Sequence, residues 1–257
     1  GCGIKWTDKI DRELTIDTHV YKKPEDLVLP ENLLERGRLP AVIESIGIIK
    51  KEAGNSLPVA SLAVGPFTLS CELVGTPNFM VWTLKNPSYV EKFVDFSTDI
   101  VLEYVKAQYR AGSDIVEICE PNASCDMIEP RMFKGYVEPA LTRITEELEG
   151  LKVLHICGKV GPIVQDMADC GFDGISIEEP LDIRKIKTIL GNVKILGIVQ
   201  SKNLALATPD AVREETRNAL EAGVDLIEAG EGILLPTPLE NIKAMVETVK
   251  GWKTSSR

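Results

Sequence analysis

The sequence predicts an α/β protein of the (β/α)8 TIM-barrel type, with a barrel that is incomplete at its N-terminus or completed by another polypeptide. From Pro58 onward, short apolar runs rich in β-branched residues alternate with longer amphipathic stretches, a pattern typical of buried parallel strands and their connecting helices. Three similar phrases recur just before predicted strands, and the glycine in each can end the preceding helix. They are Ala-Gly-Ser-Asp at 111–114, Cys-Gly-Phe-Asp at 170–173 and Ala-Gly-Val-Asp at 222–225. This rhythm predicts consecutive βα units.

The N-terminal 57 residues do not show this rhythm. We expect two extended segments, Gly3–Thr7 and Glu13–Val20, with a turn around Asp8–Asp11. Lys23–Leu39 is rich in Pro, Glu and Leu and predicts a loop with a short helix, and Pro40–Ala53 predicts a helix before the first barrel strand.

Six βα units follow over residues 58–257. The predicted strands are Val59–Val64, Asp114–Ile118, Val153–Ile156, Gly174–Ile177, Ile195–Ile198 and Asp225–Glu228. The predicted helices are Tyr89–Ala111, Pro130–Leu148, Gly161–Cys170, Leu181–Leu190, Pro209–Ala222 and Pro238–Trp252. An eight-stranded barrel needs two more strands, which the first ~50 residues do not clearly supply. We therefore expect one TIM-barrel-like domain over residues 1–257.

Composition excludes several classes of partner. The chain of 257 residues has 29 Lys and Arg against 39 Asp and Glu, a formal net charge of −10, which opposes binding to nucleic acid. The sequence shows no signal-peptide pattern and no run of ~18 apolar residues that could span a membrane. We expect a cytoplasmic protein whose six cysteines are reduced and mostly buried as small apolar residues.

His155 and Cys157 are the strongest candidates for chemistry. They lie two residues apart at the end of the predicted strand Val153–Ile156, so both side chains point to one face, at the mouth where barrel enzymes keep their active sites. Imidazole nitrogen and thiolate are ligands that zinc prefers, and Gly158 allows a sharp turn after them. The alternative is a His and a Cys that are merely packed or hydrogen-bonded.

A second segment, Val224–Glu240, runs from the last predicted strand through a Gly-flanked turn that carries Glu231 and ends in Thr237-Pro238-Leu239-Glu240. Together with His155 and Cys157, this segment resembles the uroporphyrinogen decarboxylase superfamily, and within it the cobamide-dependent methyltransferases that methylate coenzyme M. The segment Gly65–Gly75 is similar to the family's strand-end loop, and the segment from Asp126 to Phe133 is similar to the one that leads into a barrel helix. The matches extend from about Gly1 to Trp252.

The resemblance implies zinc held by His155, Cys157 and a third ligand in the turn that follows the last strand. This chain has Glu231 there in place of the family's Cys, which would leave the metal a stronger Lewis acid and the bound thiolate a poorer nucleophile. The resemblance also implies that Gly65, Phe67 and Thr68 contribute to cofactor binding.

The activity implied is transfer of a methyl group from a methylated corrinoid, carried on a partner protein, to a small thiol such as coenzyme M, as in methanogenesis. Glu117 lies in the predicted strand Asp114–Ile118, and Asp126 follows that strand. We expect these two acids to orient a metal ligand or to accept the thiol proton. The alternative is that they are solvated acids in a loop. Two other functions stay open: a metal-free decarboxylase of the same superfamily, and a non-catalytic corrinoid-binding subunit. A homo-oligomer or a completing partner chain is also open.

Overall fold

The computed structural model of the chain describes residues 1–5, 15–54, 56–230 and 232–252. Near the N-terminus, β1 (Gly3–Lys5) pairs antiparallel with β2 (Thr15–Thr18), in agreement with the two predicted extended segments; the turn predicted around residues 8–11 lies outside the described residues. Six further strands form a curled parallel sheet, a half-barrel, in the order in which they occur along the chain. They are β3 (Ala60–Val64), β4 (Ile115–Cys119), β5 (Leu151–Ile156), β6 (Gly174–Ile177), β7 (Lys194–Val199) and β8 (Leu226–Ala229).

Helices connect these strands, as βα units require. In chain order they are α1 (Leu39–Ala53), α2 (Pro66–Val74), α3 (Thr76–Lys85), α4 (Pro87–Ala111), α5 (Pro130–Met132), α6 (Glu138–Glu147), α7 (Val164–Asp169), α8 (Ile183–Leu190), α9 (Ser201–Leu206), α10 (Pro209–Ala222) and α11 (Leu239–Gly251). A π-helical turn, Phe133–Val137, joins α5 to α6. Pro139 stands two residues after the end of this turn, and because it lacks an N–H it cannot donate the regular α-helical hydrogen bond to the carbonyl four residues earlier.

The two faces of the sheet have different neighbours. Side chains that alternate along the strands, including Val116, Ile118, Leu154 and Ile175, are buried in one core with the helices. The intervening positions point to the concave face of the half-barrel. There Leu62 remains 54% exposed, so the concave face is open among the described residues.

The three repeated phrases have a common structural role. Each ends in an aspartate whose carboxylate accepts the backbone N–H at the start of the preceding strand in the sheet. Asp114 accepts from Val59 at 2.7 Å, Asp173 from Lys152 at 2.9 Å and Asp225 from Ile195 at 3.0 Å. These bonds tie each helix-to-strand turn to the sheet, because a charged acceptor strengthens a hydrogen bond.

The strand-end segment Gly65–Gly75 departs from expectation. The sequence resemblance predicts a loop, whereas the structure has a helix, α2, from Pro66 to Val74. Pro66 at the first helical position presets the backbone, and Phe67, Cys71 and Val74 recur at helical spacing and are buried. A second helix, α3, follows at once.

In the described part of the chain, no helix combines the length and the apolar character needed to cross a lipid bilayer.

Candidate functional site

The carboxyl ends of β4, β5 and β6 bring the candidate residues together. Parallel pairing places His155 of β5 between Cys119 of β4 and Ser176 of β6, so the three side chains point to the same concave face. Cys157 lies two residues beyond His155 and continues on this face. The mouth of the half-barrel is therefore lined by nitrogen, sulfur and oxygen donors.

His155 is only 5% exposed, and burial lowers the pKa of its imidazole, which favours the neutral ring. Its Nδ1 lies 2.7 Å from the Ser176 hydroxyl, and that hydroxyl donates in turn to the carboxylate of Glu228 on β8. Glu117 Oε1 lies 3.8 Å from the same Nδ1. The ring is thus held from its Nδ1 side by a polar network.

Three side chains could hold a metal ion: the ligand atoms of His155, Cys157 and Glu178 lie within 4.8 Å of one another. Nitrogen, thiolate sulfur and carboxylate oxygen are all zinc ligands. Glu178 was not predicted as a ligand. It stands two residues after Ser176, just as Cys157 stands two residues after His155, but only the pairing of β5 with β6 makes these positions neighbours. Glu231, the ligand predicted there, lies outside the described residues.

The carboxyl and thiol groups at the mouth have raised pKa values, which favour their protonated, neutral forms. Burial raises the pKa of Glu117. Burial raises the pKa of Glu228 to about 7, against the Ser176 hydrogen bond, and the nearby Glu117 and Glu178 add to the rise. Burial, followed by Glu117 and Cys157, raises the pKa of the Cys119 thiol. Carboxyl groups that exchange protons near neutral pH are suited to proton transfer.

The loop after β5 is held on both sides by carboxylates. Gly158 has φ +71°, a conformation that favours glycine, and a side chain there would meet the Asp126 carboxylate. Asp126 accepts the N–H of Lys159 at 2.8 Å, and Glu179 accepts those of Val160 and Gly161 at 2.8 and 2.7 Å. Asp126, predicted to be catalytic, therefore contacts the backbone of this loop, and a catalytic role for it stays a prediction.

Gly65, Phe67 and Thr68, predicted to bind cofactor, are buried where β3 leads into α2. The N–H groups of Phe67 and Thr68 donate to the carboxylate of Glu120 at 2.9 and 2.8 Å, and Gly65 leaves room for that carboxylate because any Cβ would collide with it. Glu120 donates its own N–H to the carbonyl of His155. These residues thus support β5, and contact with a corrinoid stays a prediction.

Asn241, which directly follows Thr237-Pro238-Leu239-Glu240 in the sequence, has a structural role. Asn241, 1% exposed, donates its side-chain amide to the carbonyls of Leu204 and Ala207 at 2.8 and 2.9 Å. It therefore fixes the end of α9, the helix that follows the carboxyl end of β7, against α11.

Comparisons with known proteins agree with this architecture. The family model of uroporphyrinogen decarboxylase (URO-D) matches residues 1–252. The methylcobamide:CoM methyltransferase MtaA of Methanosarcina barkeri is 37% identical over 250 residues, which cover 96% of this chain and 74% of that protein. The methylated-thiol--coenzyme M methyltransferase of Methanosarcina mazei is 32% identical over 252 residues, 97% of this chain and 68% of that protein.

Among solved structures, a methyltransferase from Methanosarcina mazei superposes with a TM-score of 0.93 at 36% identity, covering 97% of this chain and 75% of that one. The predicted resemblance, the predicted fold class and the prediction of a methyltransferase are confirmed.

Proposed function

Because the chain belongs to the uroporphyrinogen decarboxylase family, in the branch of the methylcobamide methyltransferases, we propose that it moves a methyl group from a methylated corrinoid to a small thiol such as coenzyme M. Two of the related methyltransferases carry coenzyme M in their names. We further propose that His155 and Cys157 hold a zinc ion that binds this thiol.

The grouping of His155, Cys157 and Glu178 carries the metal part of this proposal. A neutral imidazole, which burial favours at His155, is the form that binds metal. Three protein ligands leave a fourth position for a substrate, as in catalytic zinc sites. The donor set of the described residues therefore fits zinc.

We propose Glu178 as the third ligand. Its carboxylate lies within reach of both His155 and Cys157, whereas the resemblance points to Glu231. Either acid gives a nitrogen, sulfur and oxygen set, so the chemistry is similar and only the segment of the chain that supplies the oxygen differs.

A zinc ion with an open coordination position would lower the pKa of the bound thiol, so that the thiolate is available near neutral pH. The sulfur then forms a bond to the methyl carbon while the carbon–cobalt bond breaks and leaves its electron pair on the corrinoid. The thiol proton needs an acceptor, and we propose Glu117. Its carboxylate lies 3.8 Å from His155 Nδ1, and its raised pKa favours proton uptake.

Metal analysis of the purified protein tests the zinc site. We expect about one zinc per chain and its loss in the His155→Ala/Cys157→Ala variant. Because His19 and Cys2 both contact the carbonyl of Glu72, away from the mouth, a His19→Ala/Cys2→Ala variant is the matched control and should keep the metal. Separate Glu178→Ala and Glu231→Ala variants identify the third ligand by which of them loses zinc.

Methyl transfer is measured by the spectral change of methylcobalamin incubated with coenzyme M. We expect turnover in the natural protein and little in the His155→Ala/Cys157→Ala variant. A folded protein that contains no zinc and takes none up would contradict the proposal and leave the metal-free decarboxylase. A zinc protein that never demethylates the corrinoid would leave a non-catalytic corrinoid-binding subunit.

A further inference from the structure

Ser176 and Glu228 form a buried relay behind His155. Ser176, on β6, is fully buried and is the direct register partner of His155. Its hydroxyl lies 2.7 Å from His155 Nδ1 and contacts the carboxylate of Glu228, two strands away on β8. The relay therefore joins three strands of the sheet through side chains alone.

Above the pKa of about 7 that burial gives Glu228, its carboxyl group is ionised, and counting protons then sets the direction of each hydrogen bond. A serine hydroxyl has one proton to donate, and an ionised carboxylate can only accept. The Ser176 proton therefore goes to Glu228, and the Ser176 oxygen must accept from His155 Nδ1. A neutral imidazole has one N–H, so Nε2 keeps its lone pair.

We propose that Ser176 and Glu228 are positioning residues that hold His155 in the tautomer whose Nε2 binds the metal. The inference rests on the proposed zinc site and adds two residues to it. Hydrogen bonds to the far nitrogen of a metal-binding histidine set both the tautomer and the ring orientation, and loss of such a partner typically weakens metal binding about 10–100-fold.

Two substitutions of Glu228 separate this role from simple packing. Glu228→Gln keeps an oxygen that accepts from Ser176, so the His155 tautomer should be retained. Glu228→Leu removes the acceptor and frees the Ser176 hydroxyl to donate to Nδ1, so the proton of His155 should move to Nε2. Ser176→Ala removes the relay itself, and Ser97→Ala, another fully buried serine that hydrogen-bonds a serine, is the matched control.

Long-range 1H–15N NMR spectra of the metal-free protein report which imidazole nitrogen carries the proton. The chain has only two histidines, so a His19→Gln variant assigns the signals of His155. The spectra are recorded at pH 8, above the pKa of about 7 that burial gives Glu228. We expect Nδ1–H in the natural protein, Ser97→Ala and Glu228→Gln, and a gain of Nε2–H in Ser176→Ala and Glu228→Leu.

Competition with a chelator then measures zinc affinity in the same variants. Ser176→Ala and Glu228→Leu should bind zinc about 10–100-fold more weakly, and Glu228→Gln should lose much less. An unchanged tautomer in Glu228→Leu would overturn the proposal, even if Ser176→Ala did not fold, as would a changed tautomer with unchanged zinc affinity. Because the NMR experiment needs no metal, failure of the natural protein to bind zinc would refute the proposed function separately.

Discussion

Glu120 is a fully buried carboxyl group whose titration should be visible in the stability of the protein. It is 0% exposed, and it accepts the N–H groups of Phe67 and Thr68. Burial raises its pKa from 4.5 to about 7, against these hydrogen bonds, which act to lower it. We choose Glu120→Gln as the perturbation, since it keeps the size of the side chain and removes its titration.

The magnitude follows from the two pKa values. The folded state holds the proton of Glu120 more tightly than the unfolded chain, so its contribution to stability is fully present below pH 4.5 and is lost as pH rises through about 7. At about 1.4 kcal/mol per unit, the full shift corresponds to roughly 3 kcal/mol, most of which falls between pH 5 and pH 8.

Urea unfolding of both proteins, followed by circular dichroism at several pH values, measures this difference. Other titrating groups are common to both proteins, so their contributions largely cancel. We expect the natural protein to lose about 2–3 kcal/mol relative to Glu120→Gln from pH 5 to pH 8. Stability curves that run parallel to within about 0.5 kcal/mol, near the limit of the method, would refute the buried, elevated carboxyl.

Three further predictions concern the supports of the mouth. Gly158→Ala forces a side chain into positive φ against Asp126, and it should lower the free energy of unfolding in urea by about 1–3 kcal/mol. Gly191→Ala is the control and should lower it less, because Gly191 also has positive φ but faces open space. Asp126→Ala removes the acceptor of the Lys159 N–H and should weaken zinc binding a few-fold in chelator competition. Asn241→Ala leaves two buried carbonyls without their donor and should lower the free energy of unfolding by about 1–3 kcal/mol.

The alternation of apolar strands and amphipathic helices predicts the barrel because it reflects burial. The strands of this chain carry apolar residues on both faces: one face packs on the helices, and Leu62, Leu151 and Leu226 lie on the concave face. Each strand is therefore a short apolar run in the sequence. Helix α2 was not predicted from this alternation. It follows β3 after a single residue, Gly65, and Gly-Pro at its start reads as a turn, so its helical spacing is easily overlooked.

Some residues of the candidate site are likewise predictable from the sequence, and others are not. His155 and Cys157 are predictable because two donors at one strand end share a face by the geometry of the strand alone. Ser176, Glu178 and Glu228 are not, because the register between strands places Ser176 and Glu178 beside His155 and places Glu228 beside Ser176. Local sequence cannot distinguish such residues from solvated acids or packed serines, since only pairing between distant segments brings them together.

Acidic side chains have different structural roles in different parts of this chain. Several of them accept backbone N–H groups and so hold the strand starts at one edge of the sheet and the loops at the other; among these are Asp114, Asp173, Asp225, Glu120, Asp126 and Glu179. The acids of the mouth differ, because burial raises the pKa of Glu117 and of Glu228, and Glu228 also feels the charges of Glu117 and Glu178. A divalent cation would offset both the burial and the repulsion. The acids of the mouth are therefore compatible with the proposed metal for a reason independent of the spacing of His155 and Cys157.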